Sequence, residues 1–183
     1  MLFKFLHILI YLGYNYYSMQ NINRLFVILV LFGVLVSPGC LGETKSADAY
    51  YSAGMTFFNQ GKYNEAITMF DSALAVNPDF KEAWVYKGVS LDQLERYSEA
   101  IACYDEAIGL DPNDTLPWYN KGLIFGGQGQ YLDAITCFDK VISIDPKDAE
   151  AWYNKGVALE LLGRTAEAEI CYDEAKRLNP SLT

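Results

Sequence analysis

Between residues 47 and 182 the apolar positions fall at helical spacing, in paired stretches divided by short polar connections. In the last pair, residues 152–162 and 166–178 each set an apolar stripe among charged positions, the signature of two amphipathic helices. The connections are short and often carry glycine, as in Asn59-Gln60-Gly61 and Leu162-Gly163-Arg164, which suits an antiparallel hairpin. An Asn/Asp-Pro step such as Asn77-Pro78 or Asp111-Pro112 closes each pair, because the residue before proline is pushed out of the helical region. The pattern predicts four helix hairpins and an all-α chain over this span.

The hairpins are copies of one unit. Pro78, Pro112, Pro146 and Pro180 stand 34 residues apart, which defines repeats 47–80, 81–114, 115–148 and 149–182. An aromatic opens each repeat (Tyr50, Trp84, Trp118, Trp152), and a glycine follows four residues on (Gly54, Gly88, Gly122, Gly156). An alanine column (Ala66, Ala100, Ala134, Ala168), an aromatic column (Phe70, Tyr104, Phe138, Tyr172) and a second small column (Ala73, Ala107, Val141, Ala175) complete the unit. The small columns let helices approach closely, and the aromatics fill the space left over. A 34-residue hairpin cannot bury its apolar face alone, so the copies must stack. In type, order and length these columns resemble the tetratricopeptide repeat family. The resemblance covers residues 47–182 and implies a right-handed α-solenoid of four helix-turn-helix repeats.

In the last repeat Glu169 and Lys176 replace the Ile67, Ile101, Ile135 and the Leu74, Ile108, Ile142 of earlier copies. Both changes fall on the face that would meet a further repeat, and a polar outer face there suits a terminal unit.

Residues 1–40 have another character. Residues 25–36 are 12 uncharged apolar residues after Arg24, followed by Ser37-Pro38-Gly39-Cys40. Twelve is short of the roughly 20 that span a bilayer and fits the apolar region of a secretory signal. Cys40 after Gly39 resembles a lipoprotein signal, in which the cysteine is lipidated and opens the mature chain, although Ser37 and Pro38 are atypical of it. A plain signal peptide and an uncleaved anchor stay open beside that expectation. A second apolar stretch lies upstream, and a chain starting at Met19 would read as an ordinary signal; a two-helix membrane hairpin is the alternative. Residues 41–46 then form a tether, with the repeat domain membrane-associated and extracytoplasmic.

Charge and chemistry narrow the function. All 23 acidic residues follow Cys40, against 12 basic ones, a net of −11 that argues against nucleic acid. A solvated acidic surface accounts for most of this charge, with a cationic partner as the sharper alternative. Cys103, Cys137 and Cys171 form another repeat column, read as core packing, and lack the close pairing of a zinc or redox site. Free thiols outside the membrane would imply a reducing setting or deep burial. The single histidine is His7, so the mature part lacks the usual base for a nucleophile and any imidazole ligand. Asp71, Asp105, Asp139 and Asp173 are a repeat column and serve the stack. No dinucleotide or phosphate loop occurs, and Gly126-Gly127-Gln128-Gly129 reads as a soft turn after a first helix. No catalytic residue, metal site, cofactor or small-molecule substrate is expected.

Lys87, Lys121 and Lys155 precede the glycines where the family more often has leucine. They cannot remain charged in a core, so they either pair with the Asp column one helix away or form a cationic ligand strip.

The resemblance also implies a binding surface. In tetratricopeptide arrays the first helices line the concave face, where partner peptides lie. The matching apolar positions are Tyr51, Met55, Phe58, Val85, Val89, Tyr119, Leu123, Tyr153 and Val157, bordered by Asp48, Glu82, Asp92, Leu116, Gly126, Glu150 and Glu160. Tyrosines there suit an adaptable contact surface, or else merely pack on neighbouring helices. One subset of the family grips a C-terminal carboxylate with Lys, Asn and Arg. Here those points hold Tyr51, Met55, Tyr86, Leu116 and Asn120, and only the last agrees. The expected protein is a non-enzymatic scaffold binding a protein or peptide segment on this face. A structural or assembly component of an envelope complex and a soluble cytoplasmic repeat protein are the alternatives.

Overall fold

The computed structural model describes residues 45–182. The signal, lipidation and start-site expectations for residues 1–40, with Met19 and Cys40, lie outside them.

Eight helices follow one another: α1 (Ala47–Asn59), α2 (Tyr63–Val76), α3 (Lys81–Gln93), α4 (Tyr97–Leu110), α5 (Thr115–Gly127), α6 (Tyr131–Ile144), α7 (Ala149–Leu161) and α8 (Thr165–Leu178). Each hairpin packs internally, and each second helix packs on the first helix of the next repeat. First helices also touch their counterparts in neighbouring repeats, whereas second helices do not touch one another. That asymmetry puts α1, α3, α5 and α7 on the inner side of an α-solenoid and α2, α4, α6 and α8 on the outer side.

The repeat columns explain the packing. An ideal Cβ at Gly54, Gly88, Gly122 or Gly156 would lie 2.6, 2.6, 2.8 or 2.7 Å from the ring of Phe70, Tyr104, Phe138 or Tyr172. The glycine therefore admits the aromatic of its own repeat, and it is a ring rather than a second backbone that fills the space. Ala66, Ala100, Ala134 and Ala168 are buried, as are Ala73, Ala107, Val141 and Ala175. Cys103, Cys137 and Cys171 are free thiols in this core, as their spacing predicts.

The turns between hairpin helices share one backbone solution. Gly61, Gly129 and Gly163 adopt φ of 71°, 75° and 77°, and Glu95 is held at 58° in the same position of the second repeat. Gly126 and Gly127 differ from expectation: both are helical, and only Gly129 makes the turn. At the other boundary the Asn/Asp before each proline does more than stop a helix. Its Oδ1 accepts from the N–H two residues on in all four repeats, at 3.2, 3.1, 3.0 and 3.1 Å. The indoles of Trp84, Trp118 and Trp152 then donate to the carbonyls of Pro78, Pro112 and Pro146, tying each repeat to the one before.

Ion pairs add a second link between repeats. Lys87 meets Asp71 at 2.6 Å, Lys155 meets Asp139 at 2.6 Å, and Lys121 meets Asp105. The lysine column is thus a ladder bridging consecutive repeats rather than a ligand strip. Glu169 and Lys176 are both exposed, whereas Ile67, Leu74 and Ile135 of earlier repeats are buried.

Candidate functional site

The inner face divides into two unlike halves. Over the first two repeats it is closed by interlocked rings. Tyr51 lies 4.9 Å from Phe80 and 5.8 Å from Phe70 between ring centroids, and Tyr86 reaches Tyr51, Phe58 and Phe70 at 6.1, 5.5 and 6.4 Å. Burial and the neighbouring Tyr86 and Glu82 raise the Tyr51 phenol pKa. Met55, Phe58 and Val89 are half-buried here. Val85 is 3% exposed and offers no contact surface, a correction to its expected place on the face. Its column holds tyrosine in the other repeats, and the shorter valine stays below the surface.

Over the third and fourth repeats the face is open. Leu123 is 43% and Tyr153 38% exposed, with Val157 half-buried beside them. Tyr153 leans on Tyr172 at 5.5 Å. Tyr119 packs edge-on against Phe138 at 5.9 Å, and its hydroxyl donates to Glu150 Oε2 at 3.0 Å while accepting from Asn154 Nδ2 at 3.0 Å. Burial first, and Glu150 second, push the Tyr119 phenol up to about 12. Tyr119 thus joins α5 to α7, whereas Tyr153 and Leu123 present side chains outward.

Two depressions flank the C-terminal end of α5. One, of about 270 Å³, is lined by Asp92, Tyr97, Leu123, Ile124, Gly127 and Gln128. The other, of about 200 Å³, has Leu123, Gly126, Tyr131, Asn154, Val157 and Leu161 in its wall. They exist because Gly126 and Gly127 stand where other repeats carry Phe58-Asn59, Asp92-Gln93 and Glu160-Leu161. Among the described residues no cluster of His, Cys, Asp and Glu could hold a metal.

One buried polar group is unsatisfied. The Tyr104 hydroxyl has Asp92 and Asn120 as polar neighbours, and neither meets it at hydrogen-bonding geometry. In the fourth repeat the equivalent Tyr172 donates to Glu160 at 2.6 Å. Asp92 occupies the Glu160 position with one methylene fewer, which strands the Tyr104 hydroxyl. Burial alone raises the Asp92 carboxyl pKa.

Comparison with known proteins agrees with this geometry. The tetratricopeptide repeat family model matches residues 51–115 and 119–182. The chain belongs to the tetratricopeptide repeat family. The family's fold is that of a protein-interaction scaffold. The crystal structure of MamA superposes with a TM-score of 0.73 at 24% identity, over 76% of this chain and 81% of that one. YrrB, described as a tetratricopeptide repeat protein with an unusual peptide-binding site, gives 0.68 at 28% identity, over 76% and 72%. An uncharacterized protein of Methanocaldococcus jannaschii is 34% identical over 47 residues, 26% of this chain, which spans 55% of that relative's length.

Leu123, Tyr153 and Val157 lie on the open half of the inner face, and Val85 is buried beneath it. Tyr86 was not among the expected residues. Its column carries asparagine in the next two repeats, and nothing in the sequence shows that it meets Tyr51 and Phe58. The depressions were missed too, although Gly126-Gly127 interrupts a column of larger side chains.

Proposed function

We propose that the protein is a non-enzymatic adaptor that holds an extended or helical protein segment along its first helices. The open half of the face carries this reading. Leu123 and Tyr153 are exposed apolar groups, and Leu123 lines both depressions, in a family built for protein interaction. The peptide-binding description of YrrB points the same way.

The test is co-purification from the native cells with Leu123→Lys and Tyr153→Ala combined, beside Leu132→Ala on the exposed part of α6. Loss of a partner with the first variant and retention with the second is expected. Equal recovery by both would refute binding at this face.

The adaptor is held on the outer side of a membrane by its N-terminal segment. The apolar residues 25–36 after Arg24, and Cys40 after Gly39, support this placement. No helix among the described residues is long and apolar enough to cross a membrane. Intact mass and fractionation of the native protein test it. A chain opening at diacylated Cys40 is the expected result; an unmodified soluble chain retaining Met1 or Met19 would overturn it.

A further inference from the structure

We infer that the depression beside Asp92 receives a lysine or arginine side chain of the bound segment, so that the partner of this face is a cationic peptide. The inference rests on the reading of the inner face as a peptide groove and names what that groove selects.

The first observation is where the cations are. The four first helices contain only Lys81, Lys87, Lys121 and Lys155 as basic residues. Lys87, Lys121 and Lys155 are held by Asp71, Asp105 and Asp139, and Lys81 by Asp111 at 3.0 Å and Asp114 at 2.9 Å. Arg96, Arg164 and Arg177 pair with Glu99, Glu167 and Glu174 three residues away on the second helices. Every charged side chain at the expected groove positions is a carboxylate: Asp48, Glu82, Asp92, Glu150 and Glu160. No ammonium or guanidinium among the described residues pairs with any of these five. The expected groove positions are therefore negative: the cations of the first helices are engaged elsewhere, and Lys45, Lys62, Lys140, Lys147 and Lys176 pair with none of the five carboxylates.

The second observation is the setting of Asp92. Its carboxylate is half-buried in the wall of the 270 Å³ depression, and among the described residues neither a cation nor a hydrogen-bond donor meets it. Glu150 and Glu160, by contrast, accept from Tyr119 and Tyr172. The fully buried Tyr104 hydroxyl beside Asp92 is also without a partner. A partly desolvated carboxylate gains from a cationic partner, and the described residues supply none here.

The walls complete the fit. Leu123 and Ile124 give an aliphatic lining to the stem of a long cation, whose head stays near the carboxylate. Tyr97, 36% exposed, adds an aromatic group to the same wall. The absent side chain at Gly127 leaves the entrance. A short neutral or acidic side chain would leave Asp92 unpaired, and an acidic one would meet repulsion.

The experiment uses the full-length protein and a random decapeptide library, followed by synthetic pairs in which the selected lysine is replaced by norleucine or the selected arginine by citrulline. Affinities are measured for wild type, Asp92→Asn and Leu123→Lys, with circular dichroism confirming that each variant is folded. Recovered peptides are expected to share a lysine or arginine at one position. Asp92→Asn should weaken the lysine peptide about tenfold and leave its norleucine partner unchanged. Peptides without a shared cation, displaced by Leu123→Lys but indifferent to Asp92→Asn, would overturn the cation pocket and leave groove binding intact. Peptides indifferent to both variants, or no binding peptide at all, would overturn both.

Discussion

Replacing Gly88 by alanine tests the packing logic of the whole array. Taken alone, the change favours a helix, because alanine is preferred over glycine by about 1 kcal/mol in a helix interior. Here the new methyl would sit 2.6 Å from Cε1 and 2.9 Å from Cδ1 of Tyr104. That ring is 0% exposed and cannot swing aside. Overpacking of this kind costs about 1–3 kcal/mol, so the clash equals or exceeds the propensity gain, and a net loss of about 1 kcal/mol is expected. Gly109 is the control, since a Cβ there meets nothing within 4 Å and the residue is exposed on α4. Gly109→Ala should stabilise by up to about 1 kcal/mol. Urea unfolding followed by circular dichroism reads both, and a melting shift of roughly 3 °C per kcal/mol provides a second reading. In a Tyr104→Ala background the penalty of Gly88→Ala should vanish and the propensity gain should emerge. A neutral or stabilising Gly88→Ala in the wild-type background would refute the reasoning, as would an undiminished penalty without the ring.

Three further outcomes are expected. Glu95 occupies the left-handed turn position that glycine fills in the other repeats, so Glu95→Gly should raise stability by about 1 kcal/mol in urea titration; a loss would mean that Glu95 makes an unrecognised contact. Tyr104→Phe deletes an unsatisfied buried hydroxyl and should be neutral or stabilising, whereas Tyr172→Phe deletes the 2.6 Å bond to Glu160 and should cost about 1 kcal/mol; the same sign for both would count against the geometry. Burial pushes the Cys103 and Cys137 thiols up to about 11, so in the folded state they keep protons that the unfolded state releases from about pH 8.5. Their contribution to stability is present below that pH and is lost as pH rises through about 11; thiol labelling at pH 9 should proceed only as fast as the array opens, and immediate labelling would place the column at the surface.

The columns made the fold legible because each fills one physical need four times. Helical spacing, proline punctuation and the two small-residue columns suffice to place eight helices. The lysine ladder was legible for a similar reason, since three charges beside a core must find partners and the Asp column was the nearest supply. The glycine column was legible as close approach with aromatics filling the space left over, but which ring meets which glycine was not. That Gly88 faces Tyr104 rather than another backbone depends on which way a ring turns. The face was harder, because it is made of departures from the repeat. Val85 sinks where tyrosines stand, Tyr86 reaches across two helices, and Gly126-Gly127 opens space by what it lacks. A reading by columns averages over these exceptions.

The links of this array have a mechanical meaning. Each glycine–aromatic contact lies inside one repeat, so it keeps a hairpin shut as a rigid strut, while the indole and lysine links act at the joints between struts. The joints are not equal, for α4 and α5 meet less closely than α2 and α3 or α6 and α7. The Asp92 depression lies across that joint, with Asp92 and Tyr97 on one side and Leu123, Ile124 and Gly127 on the other. A side chain seated there would touch both repeats at once and so further fasten two struts already joined by their indole and lysine links.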